Sequence, residues 1–307
     1  MQEGLVSIIT PCYNGEKYVK RILNSVLNQT YGKIQFIFVN DGSTDRTEEI
    51  AKEYKEKMEQ KGYEYIYIYK ENGGQASAIN EGLKQVTGQY LTWPDADDEL
   101  TSDSIQKKVE YLQKHPEFAF VLSEAIVIDE DTNEIIGELK RKKNCPSNIF
   151  ENLVLQKDIW FAPGSYMIRM DKFEEVNPKR QIYESRGGQN WQMLLPLAYQ
   201  YVCGYLPEKL FKYYVRKNSH SHSTGDYRKE ITRIENQEDI LKHELEKLQV
   251  YDKYRANLEE KYYKEKMNIA YKYGEKLAFL EQYDFFKIKK KLTLKMRIKK
   301  IIIKIRK

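Results

Sequence analysis

The sequence is poor in several things. It has 8 prolines and 16 glycines in 307 residues, too few for a long flexible linker. Its three cysteines, Cys12, Cys145 and Cys203, are odd in number and far apart. That excludes a disulfide framework and a cysteine-rich zinc site, and it suits a reducing compartment. The stretch after Met1 has no basic leader followed by an apolar core, so no signal peptide is expected. No run approaches the ~18 apolar residues that a membrane-spanning helix needs. There is no G-x-G-x-x-G and no G-x-x-x-x-G-K, which argues against a dinucleotide enzyme or a P-loop NTPase. Hydrophobic residues make up 41 % and charged residues 32 %, a balance that fits a folded chain rather than a disordered one.

Charge is plentiful but unevenly placed. The formal net charge is +5. Residues 285–307 hold eleven Lys or Arg and no acid, residues 226–284 hold 12 basic and 14 acidic side chains, and residues 1–225 hold 28 and 32. The body is therefore mildly acidic, which does not support nucleic-acid binding by it. Three segments are expected: a main domain over 1–225, a helical extension over 226–284 and a basic stretch over 285–307.

Over the first 130 residues apolar runs alternate with helical patterns. Leu5–Thr10, Ile34–Asn40, Tyr63–Tyr69 and Gln89–Trp93 read as strands. Asn14–Gln29, Asp45–Tyr54 and Gln75–Val86 read as helices, with Asn14 as a cap of the first and Asp45 and Glu48 as a capping box for the second. Such alternation predicts a parallel sheet covered on both faces. Ligands of these sheets sit outside the carboxyl ends of the strands. Further on, Thr101–Lys114, Ile149–Leu155 and a stretch opening at Gly187–Gly188 read as helices. Phe118–Ile128, Ser165–Arg169 and Lys209–Val215 read as strands. From Asp226 on, two amphipathic helices meeting near Val250–Tyr254 predict an antiparallel hairpin. The second carries a stripe of Leu258, Tyr262, Ile269, Tyr273, Leu277 and Leu280.

Trp93–Glu99 (WPDADDE) places four acids at the end of an apolar strand. Residues i and i+2 of an extended segment point the same way, so Asp95 and Asp97 project together and repel unless a cation joins them. Hard oxygen ligands suit Mg²⁺, Mn²⁺ or Ca²⁺. An acidic turn capping the next helix is the plainer reading of the same residues. Asp41 follows the second strand, where its carboxylate could accept from a base or ribose, and Gly42 permits positive φ. Asp45 reads as a cap rather than a ligand. Tyr13 ends the first strand, either against a base or in the core. Gly73–Gly74 precede a helix N-terminus, where backbone amides can approach phosphates.

In order and spacing, Val6–Asn14 (VSIITPCYN), Val39–Asp45 (VNDGSTD), Asn72–Gly82 (NGGQASAINEG) and Asp95–Asp98 (DADD) together resemble the family 2 glycosyltransferases with a GT-A fold. The resemblance spans about residues 4–220 and is most specific over 4–100. It implies an α/β fold with a mostly parallel sheet and flanking helices, here with a C-terminal helical extension. It implies a nucleotide-sugar donor, most often a UDP-sugar, a saccharide or lipid-linked acceptor in cell-envelope polysaccharide synthesis, and inversion in a single displacement. It also implies a divalent metal, Mn²⁺ or Mg²⁺. By resemblance Pro11 and Tyr13 border the nucleobase, Asp41 binds it, the Gly74 region with Gln75 lies along the nucleotide, and Asn14 belongs to the same nucleotide-sugar site. Asp95 sits by the ribose or metal, Ala96 beside it belongs to the nucleotide-sugar site, and Asp97, with Asp95, ligates the metal on the diphosphate. Arg216 and His220 belong to a loop that can fold over the donor, where a basic or histidine side chain reaches the diphosphate or metal; His222 lies nearby.

The sequence departs from the family at the expected catalytic base. Where relatives carry Glu-Asp opening a helix, this chain has Gln189-Asn190, and an amide cannot serve as a general base. Glu184 is the nearest acid, otherwise a loop acid on the surface. The departure leaves a second reading open, a nucleotide-sugar-binding scaffold without turnover. A nucleotidyltransferase is disfavoured because the basic glycine-rich loop expected near its N-terminus is missing. Trp160 and Trp191 fit either an acceptor platform or the core. In 285–307, Leu294, Ile298, Ile301 and Ile305 form one helical stripe among lysines, the pattern of an interfacial helix on anionic lipid. A helix packed on the body is the alternative. The expected location is the cytoplasmic face of a membrane.

Overall fold

A computed structural model describes residues 1–142, 147–185, 189–216 and 226–305. The chain forms two compact units, Met1–Arg216 and Lys217–Lys307.

The first unit follows the sequence order closely. Its strands are β1 (Gln2–Cys12), β2 (Ile34–Asp41), β3 (Glu64–Lys70), β4 (Gly88–Thr92), β5 (Glu99–Leu100), β6 (Phe120–Asp129), β7 (Ile135–Leu139), β8 (Tyr166–Arg169) and β9 (Cys203–Val215). Its α-helices are α1 (Val19–Leu27), α2 (Thr47–Glu53), α3 (Lys55–Gln60), α4 (Gln75–Leu83), α5 (Ser104–Lys114), α6 (Phe150–Leu155), α7 (Met170–Val176) and α8 (Asn190–Gln200). One sheet runs in the order β3-β2-β1-β4-β8-β6-β9-β5, with β7 on β6. The β3-β2-β1-β4 half is wholly parallel, as is the long β6–β9 pair. Strands β8, β5 and β7 join antiparallel.

Burial explains the pattern. All eight residues of β2 are buried, because helices cover both faces of a parallel sheet and leave no strand face for polar alternation. Helix α1 buries Val19, Ile22, Leu23 and Val26, the one-sided spacing of an amphipathic helix. Each such side chain contributes about 1.5–3 kcal/mol. Sequence order reverses between β1 and β4, which flank the switch point of the parallel half. The carboxyl ends there lie beside Tyr13 and Asp95.

Two caps differ from expectation. Asn14 does not cap α1: it has φ 49°, and its Oδ1 accepts from the Thr44 amide at 2.9 Å, stitching the β1–α1 loop to the β2–α2 loop. Asp45 is not the cap of α2 either: Arg46 holds that position, Asp45 one residue earlier accepts from the Thr47 amide at 3.0 Å, and Glu48 pairs with Lys52 instead of closing a box.

The second unit is helical. Helices α9 (Tyr227–Lys247) and α10 (Tyr251–Tyr273) are joined by a short turn at 248–250 and pack as the expected antiparallel pair, with Asp226 capping α9. The expected continuation of the α10 stripe through Leu277 fails. Gly274 takes φ 78° as a left-handed C-cap, α11 (Lys276–Ile288) starts afresh, and Leu277 is exposed. Residues 285–307 are likewise not one helix, since α11 ends at Ile288 and α12 (Leu294–Ile305) follows. Met267, Ala270, Phe279, Tyr283, Phe286, Met296 and Ile303 form the core of α10, α11 and α12.

Candidate active site

Asp41 is the most tightly held acid at the carboxyl edge. It ends β2 and is 3 % exposed. Its Oδ1 accepts from Lys70 Nζ at 2.8 Å and the Gly73 amide at 3.0 Å, and its Oδ2 accepts from the Gly74 amide at 2.8 Å. Asn72 Nδ2 donates to the Asp41 carbonyl at 3.0 Å. A carboxylate offers about four acceptor positions. Three are used here, and one remains on Oδ2. The cradle depends on Gly42, at φ +74°, where an added Cβ would lie 2.7 Å from the Asn72 amide nitrogen. Gly74, at φ 90°, turns the chain into α4. Beside the cradle Tyr13 is 48 % exposed, whereas Pro11 is buried. The sequence reading missed Lys70. The signal was available only through register, because Asp41 and Lys70 are direct partners across β2 and β3.

The acidic segment after β4 does not form a single cluster of ligands. Asp95 is half-buried and accepts from Gln75 Nε2 at 2.6 Å and Gln189 Nε2 at 3.4 Å. Burial, reinforced by the Asp97 charge, pushes its carboxyl up to about 8, against the two amide donors. Asp97 is also raised by burial, partly offset by its ion pair with Arg216 at 2.9 Å. Arg216 lies 4.4 Å from the Tyr18 ring centroid. Arg21, absent from the sequence reading, donates to the Asp97 carbonyl, pairs with Glu130 at 2.7 Å and covers the Tyr214 ring. Asp98 is buried, accepts from the Tyr214 amide at 2.9 Å and so ties β9 to the site. Burial raises its carboxyl well above the usual range. Ala96 points into the core at 5 % exposure, leaving only its backbone for a ligand.

The residues standing at the expected base are structural in their contacts. Asn190 Oδ1 accepts from Trp93 Nε1 at 2.9 Å, and its Nδ2 donates to the Phe161 carbonyl at 3.4 Å. Gln189 is 1 % exposed, and among the described residues its side chain reaches Asp95. Glu184 is exposed and accepts from Asn80 Nδ2 at 3.2 Å, on a loop that Asn80 also fixes through both backbone groups of Ile182. Trp191 is buried, with Nε1 donating to the Leu153 carbonyl at 3.1 Å, so it belongs to the core; Trp160 is half-buried. Asp45 is a structural acid: partial burial opposes its ionisation, but bonds from Thr47 and the Glu16 amide hold its carboxyl below the usual range. Gly187–Gly188, His220, His222 and Cys145 lie outside the described residues.

Among the described residues no three His, Cys, Asp or Glu side chains converge on a metal position. The donor chemistry at Asp95 and Asp97 still fits a hard divalent cation that brings its other ligands with it. The Asp97 charge stands close enough to raise Asp95, and each carboxylate keeps one oxygen outside the contacts described above.

Comparison with known proteins agrees with this fold. The family model described as glycosyl transferase family 2 matches residues 7–176, more than half of the chain, and the chain belongs to that family. An uncharacterized glycosyltransferase of Rickettsia conorii is 46 % identical over 190 residues, covering 59 % of this chain and 30 % of that protein. The minor teichoic acid biosynthesis protein GgaB of Bacillus subtilis is 39 % identical over 111 residues, covering 36 % of this chain and 12 % of that protein. The match thus takes in about a third, or less, of these relatives' length. The crystal structure of S. aureus TarS 1–349 in complex with UDP-GlcNAc superposes with a TM-score of 0.55 at 17 % identity, over 97 % of this chain and 89 % of that one. The shared fold is GT-A. Asp41, Gly74, Asp95 and Asp97 fall inside the family match, whereas Glu184, Gln189, Asn190 and Arg216 fall outside it.

Proposed function

We propose that the chain transfers a sugar from a UDP-sugar to a saccharide or lipid-linked acceptor during synthesis of a cell-surface polysaccharide. The observation that carries this reading is the free acceptor position on Asp41, next to exposed Tyr13 and at the same sheet edge as Asp95 and Asp97. A buried carboxylate with one open lone pair suits the N–H of a uracil, and Tyr13 offers a ring face for stacking. The names of GgaB and of the TarS complex support the class of product and of donor.

In the reaction an acceptor hydroxyl oxygen attacks the anomeric carbon. The bond from that carbon to the diphosphate oxygen breaks, and configuration inverts. Asp97, with Asp95, would hold Mn²⁺ or Mg²⁺ on the diphosphate, and the bound cation would neutralise charge on the leaving group. Arg216 already pairs with that carboxylate. It would turn from Asp97 to the diphosphate when the donor enters. Gln75 and Gln189 orient Asp95. Glu184, fixed by Asn80, is the proposed base. Release of UDP from UDP-sugars across a panel of saccharide acceptors tests the reading. Glu184→Gln is expected to lower turnover by about 10²–10⁴-fold with donor binding unchanged; undiminished turnover would remove Glu184 from the mechanism.

The scaffold reading retains one specific support. Gln189 and Asn190 are both engaged in holding Asp95 and Trp93 rather than open to an acceptor. Donor binding without UDP release on any acceptor would select it.

A further inference from the structure

Helix α12 is apolar on two opposite sides. At about 100° per residue, Met296 and Ile303 fall on one side. Both are buried, at 5 % and 0 % exposure, against the α10 and α11 core. Leu294, Ile298, Ile301, Ile302 and Ile305 fall on the other side, within an arc of about 100°. They are 74 %, 48 %, 59 %, 43 % and 73 % exposed. Packing in the helical unit explains the first side and leaves the second without a role. Five large apolar side chains in one exposed patch mark a surface that meets something.

The charges bordering the patch identify what it meets. Lys295 and Lys299 lie along one border, and Arg297, Lys300 and Lys304 along the other. Lys299 donates to Asn268 Oδ1 at 2.7 Å, and Lys300 lies 4.3 Å from the Tyr283 ring, so both stems run back along the unit. Residues 285–307 contain no acid. A second copy of the same face is a poor occupant, because it would press two sets of five cations together. An anionic bilayer surface supplies both complements at once, negative headgroups beside an acyl boundary. Twelve residues give a helix of about 18 Å, too short to span the ~30 Å hydrocarbon core, so it would lie along the surface.

We propose that the outer face of α12 docks the protein on an anionic phospholipid bilayer, with Leu294, Ile298, Ile301, Ile302 and Ile305 at the headgroup–acyl boundary and the flanking cations on the phosphates. The surface is independent of the donor site. The test is co-sedimentation of the full chain with vesicles of phosphatidylcholine alone and of phosphatidylcholine mixed with phosphatidylglycerol. Wild type is expected to sediment with the mixed vesicles only, and less so as salt rises. Ile298→Ser with Ile301→Ser is expected to reduce partitioning by at least about tenfold. Lys295→Gln with Lys304→Gln should reduce it by about tenfold at low salt. Both double variants should melt like wild type, because the altered side chains are exposed. No sedimentation with either vesicle, or equal sedimentation with both, would overturn the proposal. So would a lowered melting temperature of Ile298→Ser with Ile301→Ser without lipid, which would mean the face packs on protein. A self-association that this variant abolishes would assign the face to a second copy instead.

Discussion

Among the described residues Asp97 has one cation on its carboxylate and, by the proposed function, needs another when donor binds. Arg216 holds Asp97 Oδ2 at 2.9 Å, with both side chains 29 % exposed. Half-exposed pairs of this kind contribute about 0–1 kcal/mol. Arg216→Gln is therefore expected to tighten Mn²⁺ binding without nucleotide by up to about fivefold. The same change should weaken UDP, because the diphosphate loses a partner. Manganese titration followed by electron paramagnetic resonance reads the first effect and calorimetry the second; unchanged Mn²⁺ affinity would show that Arg216 and metal do not share the oxygen. At this scale the sequence was half legible. Asp41, Asp95 and Asp97 stood out because each is a charge at the end of an apolar run. Lys70 and Arg21 did not, since a lysine after a strand or an arginine in a helix is ordinary until register and packing bring it to a carboxylate.

Helix α5 shows what an element can hide. Its Lys108 looks like any helical lysine but is fully buried, donating to Ser104 Oγ at 3.0 Å and to the Gly164 carbonyl. Burial lowers its ammonium to about 7. In the unfolded chain the same group titrates near 10.4. Between these values the unfolded state holds a proton that the folded state lacks, so this residue's contribution to stability rises with pH through that window and is flat below about 7. The slope is about 1.4 kcal/mol per pH unit. The difference in unfolding free energy between wild type and Lys108→Met should grow in favour of wild type over that window; a pH-independent difference would mean Lys108 stays charged in the fold. Strands β1 to β4 and helix α4 were legible because apolar runs and Ala-rich spacing agree with the layer they occupy. Strand β5, of two residues, and β7, with Ile135 and Ile136 exposed, carry no such signature. The break at Gly274 was missed because the apolar stripe continued past it, although glycine is the usual left-handed cap.

Over the whole molecule, charge and function separate. Residues 1–225 carry 28 basic and 32 acidic side chains, yet are proposed to bind a polyanionic donor. A net negative body can do so if Lys70, Arg21 and Arg216 neutralise its acids locally and a divalent cation arrives with the diphosphate. The surplus of positive charge lies instead in 285–307, with five of its eleven cations on the helix proposed to meet lipid. The family was legible because four motifs fall at the carboxyl ends and loops of one parallel half-sheet, in the order in which the chain visits them. Arg216 was expected near the donor, but its pairing with Asp97 was not legible, because that contact joins segments more than a hundred residues apart. Isothermal titration of UDP-GlcNAc and other UDP-sugars, with and without Mn²⁺, tests the central claim most directly on wild type, Asp41→Asn and Asp97→Asn. The account predicts saturable binding to wild type that strengthens with Mn²⁺, weakened in Asp41→Asn, and without a Mn²⁺ response in Asp97→Asn. Binding of no nucleotide sugar to wild type, or equal binding to all three proteins, would contradict it.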